Sequence, residues 1–476
     1  MGSVKGVRGG LVMLAALLAT GVGVAAGTSS ASSATGVQTL STPFSTPSGW
    51  RVTPVGKLIT VPAGDLGLPG PWGVALSPDG KRALVSSSGA AVLYETTELY
   101  DLTTDKRTAL RRYDARKGKS VFYGVVFSPD GRRAWAAGAG QNVVHAYKVG
   151  PGGGLTTVAE IKAPFFPSGL AYGHTPRGDR IYVTENLGAN SNPSGGPESH
   201  ADPPGHVVSV IDPATNKMTA KIDLGFAGYP LAVAFDRDGA KAYVTSWAGR
   251  RVSVIDTQRQ RTIETIVLSP RSDPLLADHP TGIAANPVRD EVYTANANTD
   301  TVSVIDTRTD SVMATIDVAL VRGAPKGSMP VSVAVNPDGR TLYVADAGED
   351  AIAVVDLTTR RVRGFIPTAW YPASVQVTPD GRRLVVANAY GLGSGPESGG
   401  AVRADLRVPR PLASAGRALL LLPRHLVQAA TSGVARAPRR RRIAQSVLGE
   451  HRDLRRRGRC GRTAPTTSTP TARRRS

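Results

Sequence analysis

The stretch Met329–Thr359 reads MPVSVAVNPDGRTLYVADAGEDAIAVVDLTT, and its reading decides the fold. An alternating apolar run, Val331–Val335, leads into Asn336-Pro337-Asp338-Gly339. A second apolar run carries Tyr343-Val344, and a third ends at Asp356. Pro presets the turn and Gly accepts a positive φ, so the first two runs form a hairpin. The phrase returns at Tyr229–Thr257 and His279–Thr307, and more weakly from Pro71, Val121 and Phe166. A shortened copy begins at Tyr371. Aligned on the Tyr-Val step, the copies place Leu84, Trp135, Tyr182, Tyr243, Tyr293, Tyr343 and Val385 at one position. Their spacings are 51, 47, 61, 50, 50 and 42 residues, the longest containing an insertion, Leu187–Gly205.

Each copy offers four short strands. The first follows Pro, the second holds Tyr-Val, the third reads Val-Ser-Val-Ile-Asp, and the fourth is rich in Thr and Ile, as in Thr262–Val267. Seven such units predict an all-β, seven-bladed propeller of four-stranded blades, each blade buried on both faces by its neighbours. An open β-solenoid is the alternative, but its repeats are shorter and lack four-strand punctuation. The seventh copy stops after Val385–Asn388, and Lys57–Pro62 reads as an orphan fourth strand. The two termini are therefore expected to share the last blade. No Val-Ser-Val-Ile-Asp phrase follows Asn388, so that blade is expected to be incomplete.

Residues 1–34 read as a secretory signal peptide and flexible leader. Lys5 and Arg8 precede an apolar run, Leu11–Ala26, too short and glycine-rich for a lasting span. The chain is expected to be secreted, with no membrane span. The propeller is expected over residues 55–399. Residues 400–476 form an Arg-rich, low-complexity tail, read as disordered or as an out-of-frame product of a GC-rich gene, with the latter preferred. Residues 401–476 hold 19 Arg, no Lys and 3 acidic residues, which accounts for most of the net charge of +20. Nucleic acid is thus a partner only through the tail. Leu419–Leu422 is its one sustained apolar run and does not fit the blade pattern. The only cysteine, Cys460, also lies there, so the repeats are held without disulfides.

The phrases Ala242-Tyr243-Val244-Thr245, Val252-Ser253-Val254-Ile255-Asp256 and Asn336-Pro337-Asp338-Gly339 resemble the YVTN (YncE-like) β-propeller repeat family, over residues 55–399. Thr368–Pro372 and Ala387–Gly393 are similar to the propeller half of bacterial proteins fused to an alkaline-phosphatase-like phosphoesterase. The sequence departs from that pattern near Gly400, so the resemblance does not carry the phosphoesterase activity over.

Chemistry must be sought where the copies differ. No metal-ligand motif, nucleophile elbow or phosphate loop is present, and neither a cofactor nor a catalytic residue is assigned. Asp212, Asp256, Asp306 and Asp356, and the Asp residues of the Pro-Asp-Gly turns, are expected to cap turn amides. Strand two ends on the face where strand one begins, so the two-to-three loops and inter-blade loops share one mouth. Phe166, Tyr229, His279, Met329 and Tyr371 precede strand one there, and the insertion adds Glu198 and His200. These residues are the ligand-binding candidates, against the blander reading that they plug the channel. The expected function is an exported module that binds a protein or small molecule at the mouth. The rival readings are a lactonase-like propeller or a truncated propeller–phosphoesterase hydrolase.

Overall fold

The computed structural model describes residues 51–60, 70–89, 94–187, 204–226, 228–268, 278–323 and 325–391, with short strands at 37–38, 44–45 and 418–422. The repeats become antiparallel sheets laid in chain order. Blade 1 comprises Gly70–Leu76, Arg82–Ser88, Tyr94–Asp101 and Lys106–Asp114. Blade 2 comprises Val125–Phe127, Arg133–Ala137, Val143–Val149 and Leu155–Lys162. Blade 3 runs from Pro167–Thr175 to Lys217–Asp223, blade 4 from Pro230–Phe235 to Arg261–Val267, blade 5 from Pro280–Ala285 to Ser311–Asp317, and blade 6 from Pro330–Val335 to Arg361–Pro367.

Blade 7 is spliced from three stretches of chain. Trp370–Val377 pairs with Leu384–Gly391, which pairs with Ala418–Leu422, which pairs in turn with Lys57–Thr60. The N-terminal stretch is the fourth strand, as its sequence suggests. The expectation of a missing third strand is corrected: Ala418–Leu422 fills that place, with Leu384 opposite Leu422 and Asn388 opposite Ala418. A strand needs backbone pairing on both sides, not the repeat phrase, and a leucine run satisfies that requirement. Val37–Gln38 adds a fifth, outer strand.

The core lies between blades. Tyr243, Tyr293 and Tyr343, with Trp135 and Tyr182, are fully buried and pack the second strands against the next blade. Close approach at the centre is set by a small residue in, or for Gly124 directly before, each first strand: Gly73, Gly124, Gly169, Ala232, Gly282, Ser332 and Ser374. A Cβ on Gly124 would sit 2.4 Å from the Ser168 carbonyl oxygen, to which the Gly124 N–H donates at 2.7 Å. The backbone contact therefore excludes larger side chains there. A register shift also recurs between strands three and four, as at Val254/Ile255, Val304/Ile305 and Val354/Val355. This bulge adds twist to each blade's outer edge.

Turn chemistry follows the sequence. Asp79, Asp130, Asp338 and Asp380 accept from the amides of Lys81, Arg132, Arg340 and Arg382 at 2.9–3.0 Å. Asp212, Asp306 and Asp356 accept from Ala214, Arg308 and Thr358 at 2.7–2.8 Å, and Asp256 from Arg259 at 2.8 Å. The carboxyls of Asp79, Asp306 and Asp380 lie below the usual range, held there first by side-chain bonds from Ser77, Arg308 and Thr378 and further by these amides.

Candidate functional site

The mouth is built where strand one starts beside the end of strand two. Pro167 lies opposite Glu185, Pro280 opposite Asn296 and Pro330 opposite Asp346. The candidates Phe166, Tyr229, His279, Met329 and Tyr371 occupy the preceding position in blades 3 to 7. All five adopt positive φ, at 53°, 55°, 44°, 52° and 61°. A left-handed conformation is costly for side chains of this size, so neighbouring groups must hold it. Those groups are visible. Asn142 Oδ1 accepts from Phe166 N (2.8 Å), Asp300 Oδ1 from Met329 N (3.2 Å) and Asp350 Oδ1 from Tyr371 N (2.9 Å). Each acceptor sits in the two-to-three turn of the preceding blade. The position is therefore an inter-blade latch as well as a rim.

The five side chains ring the mouth rather than converge on one point. Phe166 packs on Phe122 with centroids 5.8 Å apart, and His279 packs edge-on against Trp247 at 4.4 Å. Tyr229 receives the Trp247 amide on its carbonyl. Met329 and Tyr371 do meet, in a cluster with Trp72, Trp370 and Tyr390. Within it Trp72 lies 5.7 Å from Tyr371 and 6.0 Å from Tyr390, and Trp370 lies 5.2 Å from Tyr390. Tyr371 is buried, whereas Trp72, Trp370 and Tyr390 are half-buried, and the Trp370 Nε1–H has no partner. Glu198 and His200 lie outside the described residues.

The channel below the mouth is crossed by a residue not among the candidates. Tyr123, two residues before the first strand of blade 2, hydrogen-bonds the Ser332 side chain of blade 6, and burial raises its phenol above the usual value. A cavity of about 630 Å³ lies along the first strands, lined by Tyr123, Phe127, Tyr172, Phe235, Ile283 and Gln376 among others.

A ring of polar side chains at the end of strand two also escaped the sequence reading. Ser87, Glu185, Ser246, Asn296, Asp346 and Asn388 share this register and are all buried. Glu185 accepts from Phe165 N at 3.0 Å, and burial pushes its carboxyl up to about 7. Asp346 is fully buried, and neither of its oxygens has a partner. Burial, reinforced by Asp300 and Glu349, pushes its carboxyl well above the usual range. Glu95, on blade 1, is likewise raised to about 7 by burial while accepting from Ser88 Oγ and Val121 N. The available signal was the varying fourth letter of the Tyr-Val-x-x step, which is polar in six copies.

The described histidines do not assemble a centre. His145 is buried between Tyr113 and Tyr147 with Nε2 near the Ser120 carbonyl oxygen, and burial lowers its pKa. His174 is exposed beside Asp179 on the opposite, turn-bearing face. Among the described residues no group of three His, Cys, Asp or Glu side chains is arranged to hold a metal ion.

Residues 205–360 match the profile of a family described as "Lactonase, 7-bladed beta-propeller". No curated protein matches the chain. Among solved structures, the chain is similar to the hydrazine synthase of Kuenenia stuttgartiensis, at 19% identity and a TM-score of 0.53. That alignment covers 70% of this chain and 95% of the other, and it shows a shared fold alone. Sequence profile, strand order and solved relative agree on a β-propeller.

Proposed function

We propose that the chain is an exported binding propeller of the YVTN (YncE-like) type that takes a ring-bearing small molecule at its mouth. The observation that carries this reading is the cluster of Trp72, Trp370, Tyr371 and Tyr390, with three half-buried rings and an unpartnered indole N–H. Aromatic faces at a concave mouth stack on flat or ring-shaped ligands, and an indole N–H adds one directional bond. Trp72→Ala and Trp370→Ala should each weaken binding by about tenfold or more, the share one such anchor supplies. Tryptophan fluorescence, titrated with monosaccharides, aromatic acids and six-membered lactones, measures this. Unchanged affinities in both variants would remove the mouth from consideration.

A second reading, a lactonase-like hydrolase, is favoured by the family match over residues 205–360. His279 at the mouth beside buried Asp278 is its candidate base. Turnover of δ-valerolactone that His279→Gln abolishes would decide for it. The phosphoesterase remnant predicts no hydrolysis of p-nitrophenyl phosphate. Contact with nucleic acid through the Arg-rich tail is a separate part of the proposal, and it requires steep salt dependence that disappears with residues 401–476.

A further inference from the structure

The turn-bearing face, opposite the mouth, carries a different feature. At six seams a basic side chain near the start of strand two crosses to a backbone carbonyl in the next blade's three-to-four turn. Arg82 donates to Gly150 O (3.3 Å), Arg133 to Pro213 O, Arg177 to Gln258 O (3.3 Å), Lys241 to Thr307 O (2.9 Å), Arg289 to Leu357 O (2.9 Å) and Arg383 to Leu102 O (3.1 Å). The seam between blades 6 and 7 has no such clasp among the described residues. Two features account for this: Thr341 stands in the register that Lys241 holds in blade 4, and the turn it would reach is divided. Strand three of blade 7 ends at Leu422 and strand four begins at Lys57, so no continuous turn joins them.

Tyr343 points to what that turn would have supplied. It is fully buried, and its hydroxyl has no partner. At the seam of blades 4 and 5 its counterpart Tyr243 donates to Asp310 Oδ1 at 2.6 Å, while Lys241 holds Asp310 Oδ2 at 2.6 Å. At the seam of blades 2 and 3, Trp135 Nε1 donates to Asn216 Oδ1 at 3.0 Å. The Tyr182 hydroxyl is also unpartnered, but its seam keeps a continuous turn and the Arg177 clasp. Only the split seam lacks all three.

A cavity of about 870 Å³ opens there, lined by Tyr343, Asn336, Arg340 and Arg382. Its acidic lining is already committed. Asp338 and Asp380 cap their own turns, and Asp356 binds Arg363 Nε at 3.0 Å. Arg340 and Arg382 stand exposed at the rim, and Asn336 Oδ1 is an unpartnered acceptor.

We propose that this cavity is a docking site for an acidic turn of a partner protein. A partner carboxylate would lie between Tyr343 Oη and the Arg340 guanidinium, with Arg340 supplying the cation that Lys241 gives Asp310 and that Thr341, in the Lys241 register, does not. A backbone N–H of the same segment would satisfy Asn336 Oδ1, which a free carboxylic acid lacks. The site is separate from the mouth and does not depend on the reading given to it.

The probe is a capped peptide with this chain's own residues 305–312, Ile-Asp-Thr-Arg-Thr-Asp-Ser-Val, the segment that fills the equivalent place in blade 5. Calorimetric titration into the full chain should show saturable binding. The exposed-site change Arg340→Met and the isosteric change Tyr343→Phe should each weaken it about tenfold, as loss of a charge-assisted bond does. A peptide bearing Asp310→Asn should lose a similar factor. Failure to bind at millimolar peptide would overturn the proposal. So would equal affinity in the Arg340→Met variant, or succinate binding as tightly as the peptide.

Discussion

The seam between blades 4 and 5 and the seam between blades 6 and 7 use the same fold to different ends. Both bury a strand-two tyrosine between packed sheets. In the first, a continuous turn brings Asp310 to the Tyr243 hydroxyl and the Lys241 ammonium, so these three groups are paired with one another. In the second, the turn is divided between Leu422 and Lys57, and the Tyr343 hydroxyl is left unpaired. The tyrosine itself repeats; the difference is the divided turn, together with Thr341 in the register of Lys241. A closed propeller must place one splice somewhere, and the splice is where repeat-encoded pairing fails.

Removing the splice strand is the severest way to break the comparison. Deletion of residues 401–476 takes Ala418–Leu422 out from between two partners and leaves both adjacent strands with open edges. At about 1 kcal/mol per backbone hydrogen bond, the loss is about 5 kcal/mol or more, enough to leave the ring open. Deletion of residues 436–476 removes none of the described strands and should leave the melting temperature in place. Equal thermal melts for the two truncations would show that Ala418–Leu422 does not close the ring in solution.

The mouth ends of the seams differ in charge, and pH sharpens that difference. Glu185 faces the seam of blades 2 and 3, whereas the split seam carries neutral Asn388 at that register. With Glu185 raised to about 7 by burial, the folded chain holds a proton that the unfolded chain releases near pH 4.5. Stability from this group is complete below pH 4.5 and falls as pH rises to about 7, by about 3 kcal/mol. Glu185→Gln should flatten that part of the profile in urea titrations between pH 4.5 and 7. Asn388→Asp should steepen it, because the change installs a buried acid where none exists.

Local signals made most of the fold legible. Repeat spacing placed the strands of blades 1 to 6, and the Pro-Asp-Gly and Ile-Asp-x-x-Thr phrases located turns whose aspartates cap amides. Lys57–Thr60 was legible because Thr/Ile-like fourth strands recur. Ala418–Leu422 was not, since a third strand without its phrase, beyond Gly391 and a run of unrelated residues, has only backbone pairing to identify it. The rim positions Phe166, Tyr229, His279, Met329 and Tyr371 were found because they vary between copies. Their left-handed backbone was hidden, because it depends on acceptors in the neighbouring blade such as Asn142 and Asp300. The seam clasps were hidden for the same reason: Lys241 and Asp310 lie 69 residues apart, and nothing local links them.

The finest test exchanges one hydroxyl at each seam. Tyr243→Phe removes a donor from a partly buried carboxylate and leaves Lys241 as its remaining partner, at a cost of about 2 kcal/mol. Tyr343→Phe removes a buried hydroxyl that has no partner, so it should be neutral or stabilising by about 1 kcal/mol. Size and ring packing are the same in both variants, so the difference between them isolates the hydrogen bond. Matched urea melts at pH 7 measure it. If Tyr343→Phe costs as much as Tyr243→Phe, a group has already filled the split seam in the free chain, and the docking site is occupied from within. If only Tyr243→Phe costs stability, the seam of blades 6 and 7 is open, and the unpaired Tyr343 hydroxyl is available to a carboxylate from outside.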